Sequence, residues 1–301
     1  MPNLILDLSH DPCRLGVEGA LLVLRRPDQP DFSHRMDEIA AICVSQPAAT
    51  ISFRALGALA SNGVVVVVCD ERHAPTGMLM PLSTHHAQTP RFAEQAAMTL
   101  PDRKRLWQQI VQSKVTQQAQ VLKAANGTGL ALMAMVPRVM SGDTTNIEAT
   151  AAAAYWRALM GDDFRRDYEG KGINALLNYG YAIVRSAMCR AICASGLHPT
   201  LGLHHHHREN PFCLADDLME PFRPLVDCVV WQIMNTDPNA ELTPENKRHI
   251  IDFITERHCV ANEERTLFDL CARTAQSLVR AILGTDKRLD LPVWDLNAKP
   301  N

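Results

Sequence analysis

G-L-H-P-T-L-G-L-H-H-H-H-R-E-N-P-F-C-L-A-D-D-L-M-E-P-F-R-P, residues 196–224, joins an imidazole-rich turn to a short acidic helix. Gly196, Pro199, Gly202 and Pro211 punctuate it, so His204, His205, His206 and His207 are expected on a loop. From Cys213 the pattern changes: Leu214, Leu218 and Phe222 recur at helical spacing, with Asp216, Asp217 and Glu220 between them. Asp217 and Glu220 stand three apart, which puts their carboxylates on one helix face. Two carboxylates and an imidazole converging on one point would hold a divalent cation. Oxygen-rich ligands suit Mg²⁺ or Mn²⁺, and an imidazole leans towards Mn²⁺. A structural zinc would want tightly spaced cysteines, and only Cys213 is near. The same residues also admit a plain structural reading, an acidic pair complementing a helix dipole beside a solvated histidine loop.

Upstream, residues 173–195 form a long helix that is apolar almost all round and therefore central, with Asn174, Asn178 and Arg185 as its polar interruptions. Residues 141–161 give a second helix with a polar start, a glycine stop and Glu148 in its first turn or so. Its alanine run makes it slim enough for close neighbours. A third opens at Pro101-Asp102 and carries Leu106, Trp107, Ile110, Val111, Val115 and Val121, with Arg103, Lys104, Arg105, Lys114 and Lys123 on or near its polar side. Such a charged side is ordinarily a solvated face. Downstream, residues 226–234 continue the apolar pattern, 243–248 begin a helix with proline in its first turn, and 263–284 form the last long amphipathic helix. The tail from Asp290 has no regular pattern.

Residues 1 to about 85 read differently. Runs at 4–6, 14–17, 20–24, 39–44 and 64–69 are short β-type segments separated by turn residues, with Gly19 at a hairpin turn. Residues 52–63 form a short amphipathic helix stopped by Asn62-Gly63. It feeds V-V-V-V-V-C, a strand without polar alternation and so buried on both faces. Residues 74–82 are rich in turn formers and are expected to close the domain. The fold class is therefore α+β: a small β-rich domain, 1–88, followed by a larger all-α domain, 89–301.

The 301 residues are 47% hydrophobic and 21% charged, which suits a soluble globular protein with ample core. No apolar run approaches membrane-spanning length, and M-P-N-L-I-L-D-L lacks the basic start of a secretion signal. Nine unclustered cysteines suggest reduced thiols in a cytoplasm. A net charge of −3 gives no global attraction to nucleic acid. Polyanion binding would rest on local basic groups, sought among Arg103, Lys104, Arg105, Lys114, Arg138, Arg157, Arg165, Arg166 and Arg185.

D-T-T-N-I-E-A, L-L-N-Y-G-Y-A, G-L-H-P-T-L-G-L-H-H and L-A-D-D-L-M-E-P-F-R-P, in this order, closely resemble the CRISPR-associated integrase family, the catalytic subunit of spacer acquisition. The nearest variant is that found beside single-protein effector nucleases. R-L-G-V-E-G-A-L-L-V, S-N-G-V-V-V-V-V-C-D and P-T-G-M-L-M-P-L extend the likeness over nearly the whole chain. The resemblance implies metal ligands at Glu148, His205 and Glu220, with Asp217 supporting the site or a second ion. The histidine run leaves His204 and His206 open, and Asp216 is a smaller ambiguity. It further implies Mg²⁺ or Mn²⁺, double-stranded DNA, and transesterification by a DNA 3′-hydroxyl. The implied assembly is a homodimer through the β-rich domain, a small ferredoxin-like acquisition subunit, and the effector nuclease as a further partner. A hydrolytic metallonuclease and a non-catalytic assembly subunit remain as rival readings; a zinc hydrolase on the histidine run lacks a second ligand motif.

Overall fold

The computed structural model describes residues 4–9, 11–70, 75–81, 85–261 and 263–295. Its first part holds strands β1 (Leu4–Leu8), β2 (Arg14–Glu18), β3 (Leu21–Arg25), β4 (Phe32–Arg35), β5 (Ile39–Val44) and β6 (Thr50–Ile51), helix α1 (Phe53–Ser61), and strands β7 (Val65–Cys69) and β8 (Pro75–Leu79). They build two four-stranded sheets, ordered β1-β5-β7-β8 and β4-β3-β2-β6. The β2–β3 turn is Gly19-Ala20, with Gly19 at a φ of 60°, as a primed two-residue turn requires. Ser52 caps α1 by accepting from the Ala55 N–H at 3.2 Å, and Gly63 ends it at a φ of 69°.

The valine run is where the two parts of the chain meet. Val64 and Val66 face the core between the sheets with Leu15, Leu22 and Leu59, whereas Val65 and Val67 face the helical core. Alternation thus reappears as a choice between two apolar interiors, and polar positions vanish from the sequence. Burial stops at Val67; Val68 is exposed. The expected turn segment at 74–82 is corrected: Pro75–Leu79 is a strand, paired antiparallel with β7. Being the edge strand of its sheet, it can accommodate a proline at its first residue. Ala74 and Leu82 lie outside the described residues.

The rest is mostly helical: α2 (Gln88–Ala96), α3 (Leu100–Asn126), α4 (Leu130–Met133), α5 (Ile147–Met160), α6 (Ile173–Ala194), α7 (Cys213–Met219), α8 (Arg223–Thr236), α9 (Pro244–Thr255), a ribbon of β9 (His258–Val260) with β10 (Glu263–Arg265), and α10 (Leu267–Ile282). Thr99 caps α3, and Gly127 closes it at a φ of 73°. Glu263, read from sequence as the start of the last helix, belongs to the ribbon; the helix starts four residues later, capped by Thr266. The patternless tail is also corrected. Trp294 is buried, pairs with Val260, and donates its backbone N–H to Gln117 Oε1 on α3 at 3.1 Å. Gly180 lets α6 lie directly on α8: a Cβ there would collide with Val226. Among the described residues no helix is long and apolar enough to cross a membrane.

Candidate active site

A cavity of about 390 Å³ opens between α3, α5, α6, α7 and α8, and its walls carry Glu148, His205, Glu220, Lys114, Arg223 and Asp227. Three of the residues expected to ligate metal therefore share one space, although they come from segments up to 72 residues apart.

Glu148 owes its position to a turn that leaves the chain nowhere else to go. Asp143 and Asn146 adopt left-handed backbone, at φ of 46° and 53°, which Asp and Asn tolerate better than other residues. The Asp143 carboxylate accepts the backbone N–H groups of Ile147 and Glu148, both at 2.9 Å, and so caps α5. Glu148 follows in the first turn, where the helix dipole favours its charge. Asp143 was not singled out from sequence; its signal was an acid just ahead of an apolar helix start.

The histidine loop is pinned at both ends. Gln95 on α2 donates to the carbonyls of His198 and Leu201 at 2.9 and 3.0 Å and accepts the His198 N–H. At the other end the fully buried Asp217 accepts the backbone N–H groups of Leu203 and His204 at 2.6 and 2.9 Å. Its second oxygen lies 2.5 Å from His205 Nδ1. That bond raises the His205 pKa and, by holding a proton on Nδ1, leaves Nε2 as the ring's available nitrogen. Gly202 makes the turn possible, since a Cβ there would collide with the His205 carbonyl and lie 2.9 Å from Cys213 Cβ. His204 takes a different role, stacked on Trp107 at 4.2 Å with 3° between the planes. His206 and His207 are exposed. Asp216 pairs with Arg185 at 2.7 Å. Asp217 thus supports His205.

Glu220 sits where α7 tightens into a 3₁₀ turn before α8, a junction that Pro221 and Pro224 favour by fixing φ without needing an N–H donor. Trp294 closes over it, its indole N–H directed at the Pro221 carbonyl at 3.4 Å. Burial alone would raise the Glu220 carboxyl, but Arg223 and Lys114 hold it down at about 2. Arg223 Nε lies 2.9 Å from Oε1, and Lys114 Nζ lies 2.5 Å from Oε2 and 2.6 Å from Glu148 Oε1. Lys114, read from sequence with a polar helix side, thus lies largely buried between two glutamates. Arg223 and Asp227 were missed, although 220, 223 and 227 share a helical face. Asp227 forms the floor, accepting from the hydroxyls of Tyr155, at 2.9 Å, and Tyr181.

Among the other basic groups, Arg166 and Arg185 line the same cavity. Arg166 is held by Asn174 at 2.9 Å and by Asn178, whose amides bind the Arg165 and Tyr168 carbonyls. Those asparagines thus satisfy backbone and fix one arginine. Arg105 and Arg157 pair with Asp102 and Asp162. Arg103 and Arg165 bind backbone carbonyls, and Lys104 and Arg138 are exposed.

Among the described residues, no three His, Cys, Asp or Glu side chains are gathered tightly enough to ligate an ion as they stand. The residues nonetheless fit one. Glu220 Oε2 is buried without a hydrogen-bond partner, its approach to Lys114 being ionic only, and a cation already fills the space between the two glutamates. Two carboxylates and an imidazole nitrogen are donors for a hard or borderline divalent ion.

Comparison with known proteins identifies the family. The family described as CRISPR associated protein Cas1 matches residues 6–245. A CRISPR-associated endonuclease Cas1 of Neisseria meningitidis serogroup C is 40% identical over 220 residues, 72% of each chain. Among solved structures, a casposase bound to integration product superposes with a TM-score of 0.79 at 20% identity, over 96% of this chain and 93% of that one. A chain of a Cas6-RT-Cas1–Cas2 complex gives 0.76 at 18% identity, over 98% of this chain and 36% of the other. The match over most of its length, with the two glutamates and His205 brought to one cavity, makes this chain a member of the CRISPR-associated Cas1 family.

Proposed function

We propose that this cavity joins the 3′-hydroxyl ends of short captured DNA to a CRISPR repeat array. The 3′-oxygen attacks a phosphodiester of the repeat; one P–O bond forms as another breaks, and the displaced strand leaves with its own 3′-hydroxyl. The observation that carries the reading is the convergence of Glu148, Glu220 and His205 on one cavity. In this reading those three hold Mg²⁺ or Mn²⁺. The ion supplies charge neutralisation at the phosphate and acidifies the attacking hydroxyl. Asp217 keeps the His205 proton on Nδ1, so that Nε2 is the ligand. Arg166 and Arg185, on the cavity wall, meet the phosphates that flank the reacting one.

Residues 1–88 form the dimerisation domain of this proposal and residues 89–301 the catalytic domain. Phe32, Phe53 and Val68, large apolar side chains exposed in the first of these, support a protein contact there. The complex named for the Cas6-RT-Cas1–Cas2 relative supports a small partner subunit. The effector nuclease and a cytoplasmic setting belong to the same proposal.

The test mixes the purified chain, its partner subunit and Mn²⁺ with a short duplex and a supercoiled plasmid carrying a repeat. Covalently joined products that disappear with Glu220→Ala are expected. Cleavage without joining would replace the integrase by a hydrolytic nuclease, the activity named for the Neisseria relative. No metal-dependent product would leave an assembly role.

A further inference from the structure

Two oxygen atoms on the cavity wall are buried without hydrogen-bond partners: Glu220 Oε2 and Gln118 Oε1. Lys114 touches the first and shares a helix face with the residue that bears the second. Its ammonium contacts Glu220 Oε2 and Glu148 Oε1, and Gln118 follows it by four residues on α3, on the same helix face. We infer that Lys114 is the resident counter-ion of the metal-free site and exchanges the Glu148–Glu220 pair for Gln118 Oε1 when a divalent cation enters.

This inference rests on the metal reading above, and charge balance drives it. Without an ion, Lys114 and Arg223 answer the two glutamates one for one. A divalent cation in the same space would bring two further positive charges close to the ammonium, and on the Glu220 side of the cavity, where both side chains are largely buried, screening is weakest. Arg223 makes only an ionic approach to Glu220 Oε1, at 2.9 Å and without a hydrogen bond from Nε. Its planar guanidinium nonetheless lies over the Tyr181 ring at 4.8 Å, which limits where it can move. Lys114 is the group with somewhere to go, because its four-carbon stem is flexible and Gln118 Oε1 is a vacant acceptor. Gln118 is 3% exposed, so water does not readily satisfy that oxygen. Lys114 is on this view a positioning residue: it keeps the two glutamates side by side and sets the affinity with which they take an ion.

The test uses the full-length chain, stripped with EDTA, then titrated with MnCl₂ while free Mn²⁺ is followed by electron paramagnetic resonance. Lys114→Met is expected to bind Mn²⁺ about tenfold more tightly or better, since a competing charge is gone. It should also melt lower in EDTA and gain more from added Mn²⁺ than the wild type. Gln118→Leu is expected to weaken Mn²⁺ binding, by about threefold or more, without lowering the melting temperature in EDTA. A folded Lys114→Met that binds no more tightly overturns the counter-ion role, and an unchanged affinity in Gln118→Leu overturns the exchange. Should Lys114→Met fail to fold, Gln118→Leu alone decides. Glu220→Gln separates the two levels. If it binds Mn²⁺ as the wild type does, the metal reading fails and this inference with it. If it loses the ion while Lys114→Met is unaltered, only the inference fails.

Discussion

Strand β7 and the α7–α8 junction are both buried, yet they are buried by opposite means. Along β7, Val65, Val66 and Val67 are each packed into one apolar core or the other. Each such side chain contributes roughly 1.5–3 kcal/mol by leaving water. Between Asp216 and Asp227 the chain instead buries four carboxylates. A carboxylate there keeps its charge only if partners replace the lost water. Arg185 answers Asp216, three backbone N–H groups and His205 answer Asp217, Lys114 and Arg223 answer Glu220, and two tyrosines answer Asp227. The valines share their work, so losing one methyl subtracts a little. The carboxylates work in assigned pairs, and removing one member strands the other.

The largest expected effect tests that asymmetry directly. Glu220→Ala should lower DNA joining by about a thousandfold or more, because a proposed ligand is lost. It should also strand the largely buried Arg223 and leave Lys114 with Glu148 alone, which lowers the melting temperature in EDTA. Retention of full joining would break the assignment. Next comes Gly202→Ala, which forces a methyl group against the His205 carbonyl and Cys213. Overpacking of this kind costs about 1–3 kcal/mol. Because the displaced residue is His205 itself, joining should fall further than unfolding by urea would suggest. Joining at the wild-type rate would mean that the tight turn does not set the imidazole.

The same contrast explains what could be read before the fold was known. The valine run declared a strand between two interiors, and the helical half declared itself by periodicity. β4 escaped because Phe32, Ser33 and Arg35 are exposed and follow no alternation, and β6 is only two residues long. β8 escaped because Pro75, Thr76 and Gly77 suit a turn as well as an edge strand. Glu148, His205, Asp217 and Glu220, which the structure brings to or beside one cavity, were legible as candidates through their motifs. The motif pointed to His205, but the histidine run left His204 and His206 open beside it. The difference is made by Asp217 on one ring and Trp107 under the other. Lys114 was legible only as one charge on a helix. Its burial depends on Glu220, 106 positions later, arriving opposite, and no helical period carries that information. Trp294 is similar, a lone aromatic in a tail whose partners are Gln117 and Pro221.

Within the site, pH separates carboxylates that sequence treats alike. Glu220, held at about 2 against an ordinary 4.5, stabilises the fold above that ordinary value, and the contribution is lost as pH falls from about 4.5 to about 2. Asp227 runs the other way. Burial lifts it from 3.8 to about 6, against the hydrogen bonds from Tyr181 and Tyr155. The native state then takes up its proton more readily than the unfolded chain, so stability declines as pH rises from about 4 to about 6. In EDTA, Asp227→Asn should therefore gain on the wild type across that interval, by on the order of 1–3 kcal/mol. A pH-independent difference between the two would show that the Asp227 charge is not what burial penalises.

The smallest effect uses the substitution made at Gly202, placed in the other region. Gly57 lies in the middle of α1 on its exposed side, and a Cβ there meets no atom within 4 Å. Its backbone is helical with no positive φ, so alanine needs no rearrangement. Glycine in a helix interior costs about 0.5–1 kcal/mol relative to alanine, mainly through the freedom it gives the unfolded chain. Gly57→Ala should therefore raise the free energy of unfolding measured in urea by that amount and leave joining unchanged. The two glycines would then respond with opposite signs to one added methyl group. Gly57 is a position that the helix merely accommodates, whereas Gly202 is one that Asp217 and His205 require. A destabilised Gly57→Ala would show that α1 meets a surface absent from the isolated chain, and the exposed Phe53 at its first turn is where that contact would be sought.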